Sequence, residues 1–141
     1  MPAKPSGHPP PRQAPLPAGA TLDVEALAIE VARRYLARYP DEHARYGAAG
    51  ADWCVHDNQH LLNWAAIELI GFGDMDADVR WLAGVLDHRG FPLDRLAADL
   101  DIAADVVSEH EEAAGLAGPL RRSARMVREK AGPPPGSEPA D

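Results

Sequence analysis

The sequence predicts an all-α protein, a four- to five-helix bundle between disordered Pro-rich tails, and three observations carry that prediction. Apolar residues recur at offsets of three and four in successive segments. No run alternates with period two for long enough to make a strand. Prolines crowd the two ends, with seven in residues 1–20 and four in residues 131–141. Because proline fixes φ and lacks an amide donor, neither tail is expected to propagate a helix or build a sheet. The expected organisation is a disordered tail over residues 1–20, one helical bundle domain over 21–130 and a disordered tail over 131–141.

The first helix is expected over Leu22–Tyr39, with Thr21 as N-cap and Asp23 and Glu25 near the positive end of its dipole. Val24, Leu27, Ala28, Val31 and Tyr35 form one apolar stripe, and Leu22, Ile29 and Leu36 form a neighbouring one. Pro40 breaks this helix, and residues 41–47 have room only for a short helical turn before Gly47 and Gly50. The central helix then covers residues 52–70, which hold two of the three tryptophans, the single cysteine and two of the six histidines. One of its faces, Cys54, Leu61, Leu62, Ala65 and Leu69, reads as core. The other carries Trp53, His56, Asp57, His60, Trp64 and Ile67, and it is the face where a ligand, metal or partner helix is expected to meet the chain.

Gly71-Phe72-Gly73 stops the central helix, and Asp74 or Asp76 can cap the next one. That third helix buries Val79, Leu82, Ala83 and Leu86 and ends at Gly90. Pro92 suits the first position of a fourth helix, whose stripe of Leu93, Leu96, Ala97, Leu100, Ala104 and Val107 is the most regular in the chain. Residues 92–114 carry seven acids against Arg95, whereas residues 119–130 carry Arg121, Arg122, Arg125, Arg128 and Lys130 against Glu129. Two readings of that contrast stand side by side. The two faces attract one another across the Gly115–Pro119 turn, or the basic last helix docks an acidic partner or a second copy of the chain.

The formal net charge of −8 argues against a nucleic-acid binder, because phosphate contacts need a basic surface. No apolar run is long enough to span a bilayer, and the Pro-rich start lacks the apolar core of a secretory signal, so a cytoplasmic location is expected. The lone Cys54 fits a reducing compartment or a small buried side chain. His56 and His60 stand four apart on one helical face, a spacing that can offer two nitrogens to one metal, but no third ligand stands at a diagnostic distance. Cys54 has no orienting neighbour in sequence, Ser108 and Ser123 lack a nucleophile elbow, no phosphate loop is present, and the acids of 94–112 point mainly outward. No enzymatic chemistry is therefore expected.

The residues Cys54, Asp57, His60 and Leu61 on one helix, Val79 and Trp81 on the next, and Arg89, Gly90 and Pro92 in the turn carry a resemblance. Over about residues 46–107 the chain resembles the helical module that precedes the cobalamin-binding domain in some bacterial regulator and sensor proteins. The cobalamin-binding domain itself has no counterpart here. Asp41-Glu42-His43 approaches its Asp-x-His-x-x-Gly loop, but Gly47 falls one place late. The resemblance implies a free-standing helical module acting beside a separately encoded sensor or regulator. The expected function is accordingly a non-catalytic regulatory or interaction module. It would self-associate or dock a protein partner through the Trp53/His56/His60/Trp64 face or through Arg121, Arg122, Arg125 and Arg128. The alternative is a sensor in which Trp53, Trp64 and Trp81 wall a pocket and His60 or His56 ligates a haem iron, a corrinoid cobalt or another metal.

Overall fold

A computed structural model describes residues 9–131, and the expectations for residues 1–8 and 132–141 lie outside them. Five helices carry the fold: α1 (Val24–Arg38), α2 (Asp41–Leu69), α3 (Met75–His88), α4 (Leu93–Ser108) and α5 (Ala117–Ala131). Among the described residues, no helix is long and apolar enough to cross a membrane.

The first departure from expectation is an antiparallel hairpin ahead of α1. Strand β1 (Gln13–Pro15) pairs with β2 (Thr21–Asp23), with Ala14 opposite Leu22. The prolines tolerate this because a two-stranded ribbon is all edge, and an edge strand can lack a donor. Ala14, Leu16 and Leu22 are buried in the main core, and the Gln59 side chain on α2 donates to the Pro11 carbonyl at 3.0 Å. The part of the Pro-rich segment from residue 9 onward therefore belongs to the domain. The hairpin also moves the helix start: Asp23, not Thr21, caps α1, accepting from the Ala26 amide at 2.9 Å. The Arg12 carbonyl accepts from the Val24 and Glu25 amides, which have no partner within the helix.

The expected stripe Val24, Leu27, Ala28, Val31 and Tyr35 is buried, whereas Ile29 on the second stripe faces solvent. α2 begins directly after Pro40 and is interrupted at Gly47, whose φ of 65° and ψ of −163° lie in a region essentially reserved for glycine. On its far half Leu61, Leu62 and Ala65 are fully buried, but Leu69, on the last turn, is exposed. α2 and α3 both end on a left-handed glycine, Gly71 and Gly90, with the following amide returning to the helix: Phe72 to the Ile67 carbonyl at 3.1 Å and Phe91 to Leu86 at 2.9 Å. Asp74 caps α3 by accepting from the Ala77 amide. Pro92 takes the N-cap of α4, one place earlier than expected.

The most completely buried helix is α4. Its expected stripe is buried, and so are Ala98, Ile102, Ala103 and Val106 on the flanks. Alanines at four of its positions let α1 and α5 approach closely. α5 lays Leu120, Ala124 and Val127 on this helix, all fully buried.

Candidate functional site

The kink at Gly47 turns the first six residues of α2 back over α1 and the start of α4. Glu42 becomes almost completely buried there and receives two donors, the Tyr35 hydroxyl at 2.5 Å and Arg95 Nη1 at 3.1 Å. Arg95 also reaches Asp41 at 2.9 Å, and its guanidinium lies 4.4 Å from the centroid of the Tyr39 ring. Burial, the bond to Glu42 and the carboxylate charge push the Tyr35 hydroxyl far above its ordinary pKa. Burial alone would lower Arg95, but Asp41 and Glu42 outweigh it and hold the guanidinium firmly charged. This is a closed charge cluster, and it forms one wall of a cavity of about 70 Å³ between α1, α2, α3 and α4.

The opposite wall is polar and much less complete. Asp99, on α4, is 7% exposed and accepts from Asn58 Nδ2 at 3.0 Å. No cation partners it among the described residues. Burial pushes its carboxyl up to about 7, Asn58 pulling it down and the Asp57 charge pushing it further up. Asp57 is also raised, again by burial, against the opposing pull of His56 Nδ1 at 3.3 Å and the charge of Arg89. Asn58 spends its amide hydrogens on Asp99 and on the Cys54 carbonyl at 2.9 Å, and its Oδ1, buried, accepts nothing. Burial and the charges of Asp99, Asp57 and Glu42 push the Cys54 thiol far up, which leaves it protonated and a poor nucleophile. Between the two walls Tyr46, Trp53 and Phe91 supply aromatic surface, with Leu82 and Leu86 of α3 as the floor.

The expected face of α2 is present as a ladder of rings. Trp53 to His56, His56 to His60 and His60 to Trp64 have centroid separations of 5.8, 4.8 and 6.0 Å. His56 is buried and its Nε2 has no partner. Of the three tryptophans, only Trp53 lines the cavity; Trp64 packs against the core, and Trp81 stands 48% exposed on α3. The three indoles therefore do not wall one pocket, because Trp81 lies about 200° around α3 from the buried Val79. Neither His56 nor His60 lines the cavity, whose volume suits a group of a few atoms rather than a haem or a corrin ring. Among the described residues, no three His, Cys, Asp or Glu side chains are grouped to hold a metal.

The arginines of α5 are mostly engaged within the chain. Arg121 meets Asp105 at 2.9 Å, Arg128 bonds Asp101, and Arg122 reaches both Glu68 and Asp76 at 2.6 and 3.0 Å. Arg125 is exposed, and no contact ties it to a carboxylate among the described residues. The attraction of the acidic and basic helices for one another is thus the arrangement seen.

The residues missed in the sequence are Asp99, Asn58, Glu42, Tyr35 and Arg95. Two carried a signal. Asp99 stands three residues after Leu96 and four before Ala103, an acid on the apolar face of α4, and Asn58 sits four after Cys54 and three before Leu61 on the core side of α2. The outward reading of the acids in 94–112 fails at Asp99 for that reason. Glu42 carried no such mark, since its burial depends on the Gly47 kink. No family model, curated protein or solved structure matches this chain.

Proposed function

We propose that this protein is a non-catalytic helical regulatory module whose input is a small molecule held in the cavity between α1, α2, α3 and α4. The observation that carries the reading is the cavity itself. It is a half-open, mainly apolar space of about 70 Å³ lined by a buried carboxyl without a cation partner among the described residues and a buried amide with an idle acceptor. Such a combination is the usual form of a ligand site. Cys54 and Asp57, two of the residues that carry the resemblance to the helical module of cobalamin-linked regulators, both line it. That agreement supports a regulatory role. The inert thiol of Cys54 and the raised Tyr35 hydroxyl support the absence of chemistry.

The test is thermal unfolding of the full chain with and without a low-molecular-mass extract, alongside Cys54→Leu. Leucine fills part of the space, so the variant is expected to gain about 1 kcal/mol without ligand. The wild type should gain stability with extract, and Cys54→Leu should lose that response. Equal responses in both chains would refute the cavity as the site.

A second reading, docking of a protein partner or a second copy, is favoured by a different observation: Phe72 is 83% exposed and the Trp81 indole about half exposed. It predicts a mass by light scattering that rises with concentration and falls back in Phe72→Ser. A haem or corrinoid reading predicts instead a chromophore retained through desalting and lost in His60→Ala or His56→Ala.

A further inference from the structure

Resting on the ligand-binding reading above, we infer that the molecule held in the cavity is a small primary amine, bound as its ammonium ion by Asp99, Asn58 and Asp57 with its carbon body against the aromatic side chains. The charges on the walls point this way. Around the cavity, α1 contributes Tyr35, α2 contributes Glu42, Cys54 and Asp57 with His56 beside it, α4 contributes Arg95 and Asp99, and α3 contributes only apolar groups. Glu42 and Arg95 neutralise one another, and Asp57 is met by His56 and the field of Arg89. Asp99 alone has no positive counterpart, and it lies 93% buried by its 7% exposure. A carboxylate removed from water without a cation is costly, and a cation delivered by a ligand removes that cost.

The hydrogen-bond inventory narrows the class. Asp99 Oδ1 accepts from Asn58, leaving its second oxygen without a bonded partner among the described residues. Asn58 Oδ1 is buried and idle, and Asp57 uses one oxygen toward His56. These carboxylate and amide oxygens are acceptors, with Asn58 Oδ1 buried and without a partner, and the hydrogens of a primary ammonium suit them, whereas a quaternary ammonium has none to give and a carboxylate or phosphate brings only further acceptors. Trp53, Tyr46 and Phe91 line the cavity and add aromatic cover for a short apolar body.

The experiment is isothermal titration of the full chain at pH 8 with propylamine, with 1-propanol as its neutral match and propionate as its anionic one, probes of the few-atom size the cavity admits. Propylamine is expected to bind about tenfold or more tighter than the alcohol, with no binding of the acid. In Asp99→Asn, checked for helical content by circular dichroism, the amine should weaken about tenfold while the alcohol is unaffected. At pH 7 amine binding should release protons, visible as a heat that varies with the ionisation enthalpy of the buffer, because an ammonium favours the ionised carboxyl. If Asp99→Asn does not fold, Asp57→Asn carries the same comparison. Alcohol and amine bound equally, and equally in the variant, would overturn the amine while leaving the cavity as a ligand site. None of the three bound, nor methylammonium or butylamine, would overturn the amine and count against the cavity reading as well.

Discussion

Two polar clusters are built into this bundle, one where α5 meets α2 and α3 and one where α2 meets α4, and they are opposites in how completely they are satisfied. Where α5 meets the α2–α3 corner, Glu68 accepts two bonds from Arg122 and one from the Met75 amide, and Asp76 accepts from Ser123 at 2.7 Å and Arg122 at 3.0 Å. At the cavity, Asp99 has one neutral donor, and Asn58 Oδ1 has none. Both clusters bring carboxylates into the protein; Arg122 meets Glu68 and Asp76, whereas no cation meets Asp99 among the described residues. A complete network fixes the packing of helices; an incomplete one holds binding capacity in reserve.

The two clusters respond to pH with opposite signs. Arg122 holds Glu68 below the usual carboxylate range, and at Asp76 the Ser123 hydroxyl and Arg122 outweigh the upward push of burial. The stability these groups contribute is present above their ordinary pKa and is lost as pH falls through the depressed values. Asp99 is raised from 3.8 to about 7, so the folded chain holds a proton that the unfolded chain has released, and stability falls as pH rises from about 4 to 7. The largest expected effect follows. Asp99→Asn keeps an acceptor for Asn58 and removes the ionisation, so it should stabilise the protein by about 3 kcal/mol at pH 8 and by little at pH 4. Urea unfolding at both pH values measures it, and an equal change at the two would show that the carboxyl does not titrate in this way.

On the complete side the sign reverses. Glu68→Ala removes the acceptor for an amide in the first turn of α3 as well as both bonds from Arg122, and leaves that guanidinium with Asp76 alone. A loss of about 2 kcal/mol at pH 7 is expected. Glu68→Gln, which can still accept from Met75, should recover about half of it and flatten the acid limb of the stability curve.

How much of this was legible in the sequence depended on whether a signal was local. The stops at Gly71 and Gly90 and the cap at Asp74 are statements about one turn of backbone, and they stand in the structure as read. The buried stripe of α4 followed from its period. The hairpin did not, because three residues on each side are too few to show alternation, and what holds it to the bundle is distant in sequence: the core around Ala14, Leu16 and Leu22, and Gln59, forty-eight residues from the carbonyl it holds. The cavity was hidden for a related reason. Its polar wall joins Asn58 to Asp99 and its other wall joins Glu42 to Arg95, pairs that only the packing of α2 on α4 creates. Trp53 was found from its face of the helix, whereas Trp81 was misplaced because an indole near apolar neighbours reads as inward whichever way it points.

The kink at Gly47 gives a further way to sharpen the contrast, since it affects the cavity and leaves the α5 network alone. A side chain at φ 65° and ψ −163° is strained even with open space around it, and no heavy atom lies within 4 Å of an added Cβ. Gly47→Ala should therefore cost about 1–2 kcal/mol through backbone strain alone. It should loosen residues 41–46 and speed amide exchange there, with Glu68 and Arg122 unaffected. Exchange that rises equally in α5 would mean that the two clusters are coupled.

The smallest effect is expected at Arg121, and its smallness is informative. Arg121 sits on the same helix as Arg122 and also meets carboxylates, Asp105 at 2.9 Å and Asp101 at 3.9 Å, but all three side chains are substantially open to water. An exposed pair gains little from Coulomb attraction, loses side-chain entropy in forming, and is screened by salt. Arg121→Ala should thus change stability by less than about 0.5 kcal/mol at 0.15 M salt, with the difference from wild type shrinking further at 1 M. If the cost instead approached that of Glu68→Ala and persisted in salt, the α4–α5 ion pairs would have to be counted with the complete network. In that case the division would lie between all of α5 and the cavity, not between buried and exposed charge.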